Sequence, residues 1–279
     1  MKKIIAAFDG LKYSEHIRDY SINLAKQTET HLVGVFLDDP TYTGYKIYEI
    51  IAQKGATEAN LKKYEAKDKA TRLEASTNFE VTCKQAGIDH TVHHDTNIAI
   101  HELKHESIYA DLLIIDSKET LTHYTEKQPT RFIRDLLGDV QCPVILVNGK
   151  YKPIKKIIFL YDGEPSSVHA IKMFSYLLPE LAGIDAEVIT VKQDAQKLQL
   201  PDSKLMKEFM HNHYPVAAYK VVKGWAEDEI VKYLKQQKEN ALVVLGAYRR
   251  GTVSRWFRES MADILMKEIK LPLFIAHNK

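Results

Sequence analysis

The sequence predicts a doubly wound α/β fold built twice in one chain, on three observations. Short apolar runs end at turn residues, helical stretches with one apolar face lie between them, and the first half of the chain returns in the second. A short continuous apolar run suits a strand covered on both faces, hence a parallel sheet. Strands alternating with helices build right-handed βαβ units.

The repeat is read first. Lys2-Lys3-Ile4-Ile5-Ala6-Ala7-Phe8-Asp9-Gly10 returns as Lys155-Lys156-Ile157-Ile158-Phe159-Leu160-Tyr161-Asp162-Gly163. Ser14 and His16 return in register as Ser167 and His169. Ala110-Asp111-Leu112-Leu113-Ile114-Ile115-Asp116 parallels Asn240-Ala241-Leu242-Val243-Val244-Leu245-Gly246. Cys142-Pro143-Val144-Ile145-Leu146-Val147 parallels Leu271-Pro272-Leu273-Phe274-Ile275-Ala276. Several matches in one order imply duplication, with a polar, Gly- and Pro-bearing linker at Asn148 to Pro153. The expected domains are therefore residues 1–149 and 153–279.

In the first half, Ile4 to Phe8 is the first strand and ends at Asp-Gly. A helix from about Tyr13 to Gln27 follows, with Ile17, Tyr20, Ser21, Leu24 and Ala25 on one face. His31 to Leu37 is the second strand. A lysine-rich helix runs from Asn60 to Gln85 and is stopped by Gly87. His90 to His94 is a weaker third strand, Ile98 to Tyr109 a helix, Leu112 to Ile115 the fourth strand, Arg131 to Leu137 a helix and Val144 to Val147 the fifth strand. The second half repeats these strands at Ile157, Ala186, Val216, Leu242 and Leu273. The apolar fifth strands should pair, because exposed apolar edges are liabilities.

Composition excludes several classes. Of 279 residues 45% are hydrophobic and 27% charged, which is a folding composition. Basic and acidic residues number 39 and 37, so a net charge of +2 argues against a general nucleic-acid or membrane-surface binder. Cys83 and Cys142 are far apart and lack metal-ligand spacing. No apolar run reaches membrane-spanning length, and the N-terminus meets Asp9 too early for a signal peptide. A soluble cytoplasmic protein is the expectation.

Ligands of such sheets sit beyond the carboxyl ends of the strands. Asp9 and Asp162 fall there, as hydrogen-bond acceptors for a base or ribose, or as ordinary Asp-Gly turn residues. The loop after the fourth strand is the other wall. A phosphate cradle needs glycines and a following helix N-terminus. The second half offers Gly246, Arg249, Arg250, Gly251 and Ser260; the first offers Asp116 and Glu119, whose carboxylates repel a triphosphate.

These residues resemble the universal stress protein family in its tandem form, over essentially the whole chain. The carriers are the Lys-Lys-Ile-Ile opening with Asp9-Gly10, the Ala-Asp-Leu-Leu-Ile-Ile fourth strand and the closing Cys-Pro-Val-Ile-Leu-Val. The resemblance implies two five-stranded, adenine-nucleotide-hydrolase-like parallel sheets related by pseudo-two-fold symmetry, pairing through their last strands, and stress-linked roles. Some members bind ATP through a loop of Gly, two residues, Gly, nine residues, then Gly and Ser or Thr. Here the second half keeps Gly246 and Ser260 but has Arg249 and Glu259 at the other glycine positions. The first half has Asp116, Glu119 and Pro129, and keeps only Thr130.

Other clusters have bland readings. His101 and His105 share a helix face without a third ligand, and His90, His93, His94 and His123 read as surface residues. Arg249, Arg250, Arg255 and Arg258, with Tyr248 and Trp256, read as a solvated or interdomain face. Lys62, Lys63, Lys67 and Lys69 alternate with Glu65 and Asp68 on a surface helix. No pyrophosphatase loop, Gly-x-Gly-x-x-Gly, Walker loop or Gly-x-Ser-x-Gly elbow is present. The expected function is stress-response binding without catalysis, with a degenerate nucleotide site in both halves. The candidate site in the second half is Asp162, Gly163, Gly246, Arg249 and Ser260, with Asp9 and Thr130 its inactive first-half equivalents. Alternatives are an ATP or AMP sensor using the second half only, and a small-molecule or metal carrier. No cofactor, membrane or nucleic acid is expected; pairing of the two domains, a homodimer and unidentified protein partners are.

Overall fold

The computed structural model describes residues 1–40, 57–122, 124–193, 198–246 and 260–277. By packing, the chain divides into two compact units, Lys2–Gln141 and Cys142–Lys279, with Met1 counted in the second.

In the first unit β1 (Lys3–Asp9), α1 (Glu15–Thr28), β2 (His31–Leu37), α2 (Glu58–Ala86), β3 (His90–Asp95), α3 (Ala99–Ile108), β4 (Leu112–Asp116) and α4 (Arg131–Asp139) follow in order. The strands are all parallel, in the order β3-β2-β1-β4. Strand order reverses between β1 and β4, so the crevice lies between their carboxyl ends. Ile4 to Phe8 and Leu112 to Ile115 are buried, as a doubly covered sheet requires. The apolar face of α1 is buried as its spacing indicates, and Gly87 ends α2 in the left-handed conformation at φ 70°. Phe79 of α2 reaches the sheet only because Gly34 of β2 has no side chain: a Cβ there would lie 2.6 Å from the ring. Phe8, Phe36 and Phe79 then pack with ring centroids 5.0 to 6.0 Å apart.

The second unit contains β5 (Val144–Val147), β6 (Lys156–Leu160), α5 (Pro165–Leu177), a short 3-10 turn at Pro179–Leu181, β7 (Asp185–Lys192), α6 (Ser203–His213), β8 (Ala218–Lys223), α7 (Ala226–Lys235), β9 (Ala241–Gly246), α8 (Met261–Glu268) and β10 (Leu273–Ala276). Its strand order is β5-β10-β9-β6-β7-β8. The run β8-β7-β6-β9 repeats the first unit's β3-β2-β1-β4. The fifth strands pair as their apolar sequences predict: β10 lies antiparallel to β5, with Phe274 opposite Ile145. This pairing is why β5 packs with the second unit.

One strand start differs from the sequence reading by more than a single residue. Val216 is 83% exposed and precedes β8, which begins at Ala218. Pro215 has no N–H for a ladder, and Ala217 N–H closes a turn onto the Tyr214 carbonyl at 3.0 Å.

Candidate functional site

Asp9 ends β1 and Asp162 lies two residues beyond the end of β6, and both make the same local turn. Asp9 Oδ1 accepts the Leu11 N–H at 2.8 Å, and Asp162 Oδ1 accepts the Glu164 N–H at 2.9 Å. Asp162 also accepts the Ser167 hydroxyl at 2.7 Å. The aspartates differ in burial: Asp9 is 4% exposed, whereas Asp162 is solvated. Asp9 Oδ2 has no hydrogen-bond partner among the described residues, and Lys12 Nζ lies 3.6 Å from it.

The first crevice is bridged by the protein itself. Lys12, in the turn after β1, donates to the Thr122 carbonyl in the loop after β4. Nearby, His16 Nε2 lies 2.8 Å from Asp116 Oδ2, joining α1 to the end of β4. Arg72 of α2 lies against Gly10, where a Cβ would sit 3.2 Å from its Cγ. Its guanidinium donates to the Leu37 carbonyl at 3.2 Å and pairs with Asp38 at 2.7 Å.

Ser14, His16 and Asp116 are the residue types of a hydrolase triad, but not its alignment. Ser14 Oγ lies 2.8 Å from His16 Nδ1 and 3.2 Å from Nε2. An oxygen that close to both ring nitrogens sits over the ring face, away from the in-plane lone pair that would take its proton.

The loop after β4 folds around Glu119. Its Oε1 accepts the Thr120 N–H at 2.9 Å and the Leu121 N–H at 2.8 Å, and Leu121 is left-handed at φ 48°. Burial, and then the Asp9 carboxylate, push the Glu119 carboxyl above its usual range; the two N–H groups and Lys12 oppose them. Thr130 caps α4 by accepting the Ile133 N–H at 3.2 Å and donates to the Glu119 carbonyl at 2.5 Å.

In the second unit the room expected at Gly246 is taken by backbone. A Cβ there would lie 2.3 Å from the Ser166 carbonyl oxygen, so the glycine lets α5 approach β9. Gly163, at φ 94°, is faced by Pro201, whose Cβ would lie 2.8 Å from an added Cβ. The Tyr161 hydroxyl donates to the Pro201 carbonyl at 3.2 Å. Ser260 begins α8 in a reciprocal capping box with Asp263. Arg249, Glu259 and the remaining arginines, glycine and aromatics of that loop lie outside the described residues, as does His123. Among the described residues, no group of three or more His, Cys, Asp or Glu could hold a metal, and no helix is long and apolar enough to cross a membrane.

A universal stress protein from Archaeoglobus fulgidus superposes with a TM-score of 0.74 at 13% identity, over 99% of this chain and 98% of its own. The chain has the universal stress protein fold. A functionally unknown protein from Pseudomonas aeruginosa PAO1 superposes at 0.64 with 11% identity, over 99% and 92% of the two chains. The cytoplasmic domain of a prokaryotic cation chloride cotransporter superposes at 0.54 with 10% identity, over 98% and 94%. No protein-family model matches the sequence. No curated protein sequence matches it. On this universal stress protein fold, the sequence pointed to Asp9, Asp162, Gly246, Ser260 and Thr130. It gave no sign of Arg72 or Pro201, because neither belongs to a repeated or spaced pattern.

Proposed function

We propose that this is a stress-linked protein that acts by binding, and that its first unit has given up nucleotide. The observation that carries the reading is the bridged crevice: Lys12 bonded to the Thr122 carbonyl and His16 paired with Asp116 at 2.8 Å, across the switch point between β1 and β4. A nucleotide would have to break both contacts and set its phosphates beside Asp116, Glu119 and Asp9. The off-axis Ser14 favours binding over hydrolysis. Calorimetric titration of ATP into the full chain tests the reading. Binding no tighter than millimolar is expected; a micromolar dissociation constant that weakens in Asp9→Ala would overturn it.

A second reading is a nucleotide sensor using the second unit alone. It is favoured by the solvated Asp162 and by Gly246, which offers no side chain to pair with His169. At the loop's other glycine positions Arg249 and Glu259 stand against it. Losing two charged or backbone phosphate contacts would weaken a micromolar site to about millimolar. If so, Arg249→Gly with Glu259→Gly strengthens ATP binding at least about tenfold. Micromolar binding in the wild type that is lost in Arg249→Ala would instead make Arg249 a phosphate ligand and this second reading the better one.

A further inference from the structure

We propose that α2 is a docking face for a second copy of this chain, which pairs with it antiparallel, helix against helix. α2 has 29 residues, yet its buried ones, Ala75, Ser76, Phe79 and Cys83, all lie in its second half. From Glu58 to Glu74 no residue is buried. Most helical stability in proteins comes from packing an apolar face, so these turns lack what usually holds a helix. α6, which follows β7 as α2 follows β2, is 11 residues long, so a sheet of this kind is covered without them. On the side opposite the buried row lie Ala66, Ala70, Leu73 and Thr77, all exposed. Their spacing of four, three and four is that of the seam between paired helices. Leu73 is 66% exposed, and with Ala70, Thr77 and Val81 it lines a shallow groove on this side.

The charges beside the seam select the occupant. Let two copies pair antiparallel about a two-fold axis between Thr71 and Arg72. Ala70 of each then meets Leu73 of the other, and Ala66 meets Thr77, so small residues receive the larger ones. Lys63 falls level with Glu80 of the other copy, and Lys67 with Glu74, and the symmetry makes each pair twice. Parallel pairing would set all four charged residues against their own kind. Lys63, Lys67 and Glu74 have no ion pair within the chain among the described residues. Glu80 holds Lys84 of its own helix at 3.2 Å and remains 42% exposed, open to a second lysine. The paired stretch, residues 63–80, is about 27 Å long. That places the interface at the low end of specific contacts, as a weak and reversible dimer.

Sedimentation equilibrium of the full chain, loaded from about 1 to about 300 μM, is the test. The wild type should show a monomer–dimer equilibrium. Leu73→Glu should weaken the dimer at least about tenfold. The position is exposed, so the fold should survive, which circular dichroism checks. Lys67→Glu and Glu74→Lys should each weaken the dimer severalfold, because each sets like charges together twice. An equimolar mixture of these two variants should recover the wild-type affinity, since the acidic flank of one copy then meets the basic flank of the other. A parallel pair, or contact through another surface, has no reason to recover in this way. A wild type that stays monomeric throughout, a dimer that Leu73→Glu leaves intact, or a mixture no tighter than its components would each overturn the proposal.

Discussion

Tyr233 stands in the second unit where Glu106 stands in the first, and each meets the lysine that begins the unit's first strand. Lys3 Nζ lies 3.3 Å from Glu106 Oε2, and Lys156 Nζ lies 3.4 Å from the Tyr233 hydroxyl. A third position also matches. His93 precedes Glu106 by 13 residues and bonds to it at 2.7 Å; Lys220 precedes Tyr233 by the same interval, with its ammonium 4.1 Å from the ring centroid. With tyrosine at the acid's position, the second unit takes its carboxylate from β7. Glu187 accepts from Lys156 at 2.7 Å and from the Tyr233 hydroxyl at 2.5 Å.

Glu187→Gln should destabilise the protein by about 2 kcal/mol, since it removes the charge from a hydrogen-bonded, buried partner of Lys156. Burial works to raise the Glu187 carboxyl, but the hydrogen bonds from Lys156 and Tyr233 together hold it below its usual value. A carboxyl depressed by folding stabilises above its unfolded value and loses that contribution as pH falls through the folded one. Urea midpoints at neutral pH and near pH 3 should therefore differ less in Glu187→Gln than in the wild type. An equal acid loss would show that the pair contributes nothing.

Glu119→Gln should work in the opposite sense. Burial and the neighbouring Asp9 raise the Glu119 carboxyl in the fold. Its ionisation therefore costs stability above the folded value, and the cost vanishes as pH falls to the unfolded one. The variant should unfold at higher urea than the wild type at neutral pH, and at the same urea in acid. A lower midpoint at neutral pH would contradict this.

Gly34→Ala should cost about 1–3 kcal/mol, because its methyl meets the Phe79 ring at 2.6 Å. Gly34→Ala with Phe79→Leu should be more stable than the sum of the two single variants predicts, since the smaller side chain yields space. Strict additivity in thermal unfolding would place the cost elsewhere.

Gly246→Ala should destabilise by more than Gly34→Ala, because the new Cβ meets backbone, the Ser166 carbonyl, and backbone cannot change rotamer. Thermal unfolding without ligand is the measurement. A variant with wild-type stability would return this glycine to ligand binding as its reason for being there.

The parts legible in sequence were those with a period or a repeat. His31 to Leu37 and Val144 to Val147 were readable to the residue, because apolar runs between turn residues leave little freedom. The third strand of the second unit was misplaced at Val216, where an apolar residue follows a proline that the ladder cannot use. At the candidate site, the sequence placed Asp116 and Glu119 where glycines would be needed. It did not place Lys12, His16 and Arg72 across the crevice, because those meetings depend on chain folding between distant positions. Gly246 was legible as a glycine but not as a packing glycine; its neighbour Ser166 lies on another element.

The β5–β10 pairing sets where the chain can be cut. β5 is encoded ahead of the linker yet completes the sheet of the following unit, and Cys142 to Val147 travels with that unit. A recombinant fragment begun at Lys152 would present β10, four buried apolar residues, as an open strand edge, and open edges recruit other chains. A fragment ended at Val147 would carry β5, also four buried apolar residues, away from β10. Self-association of fragments cut at the linker, beyond that of the full chain, would therefore report a cut through this strand pair.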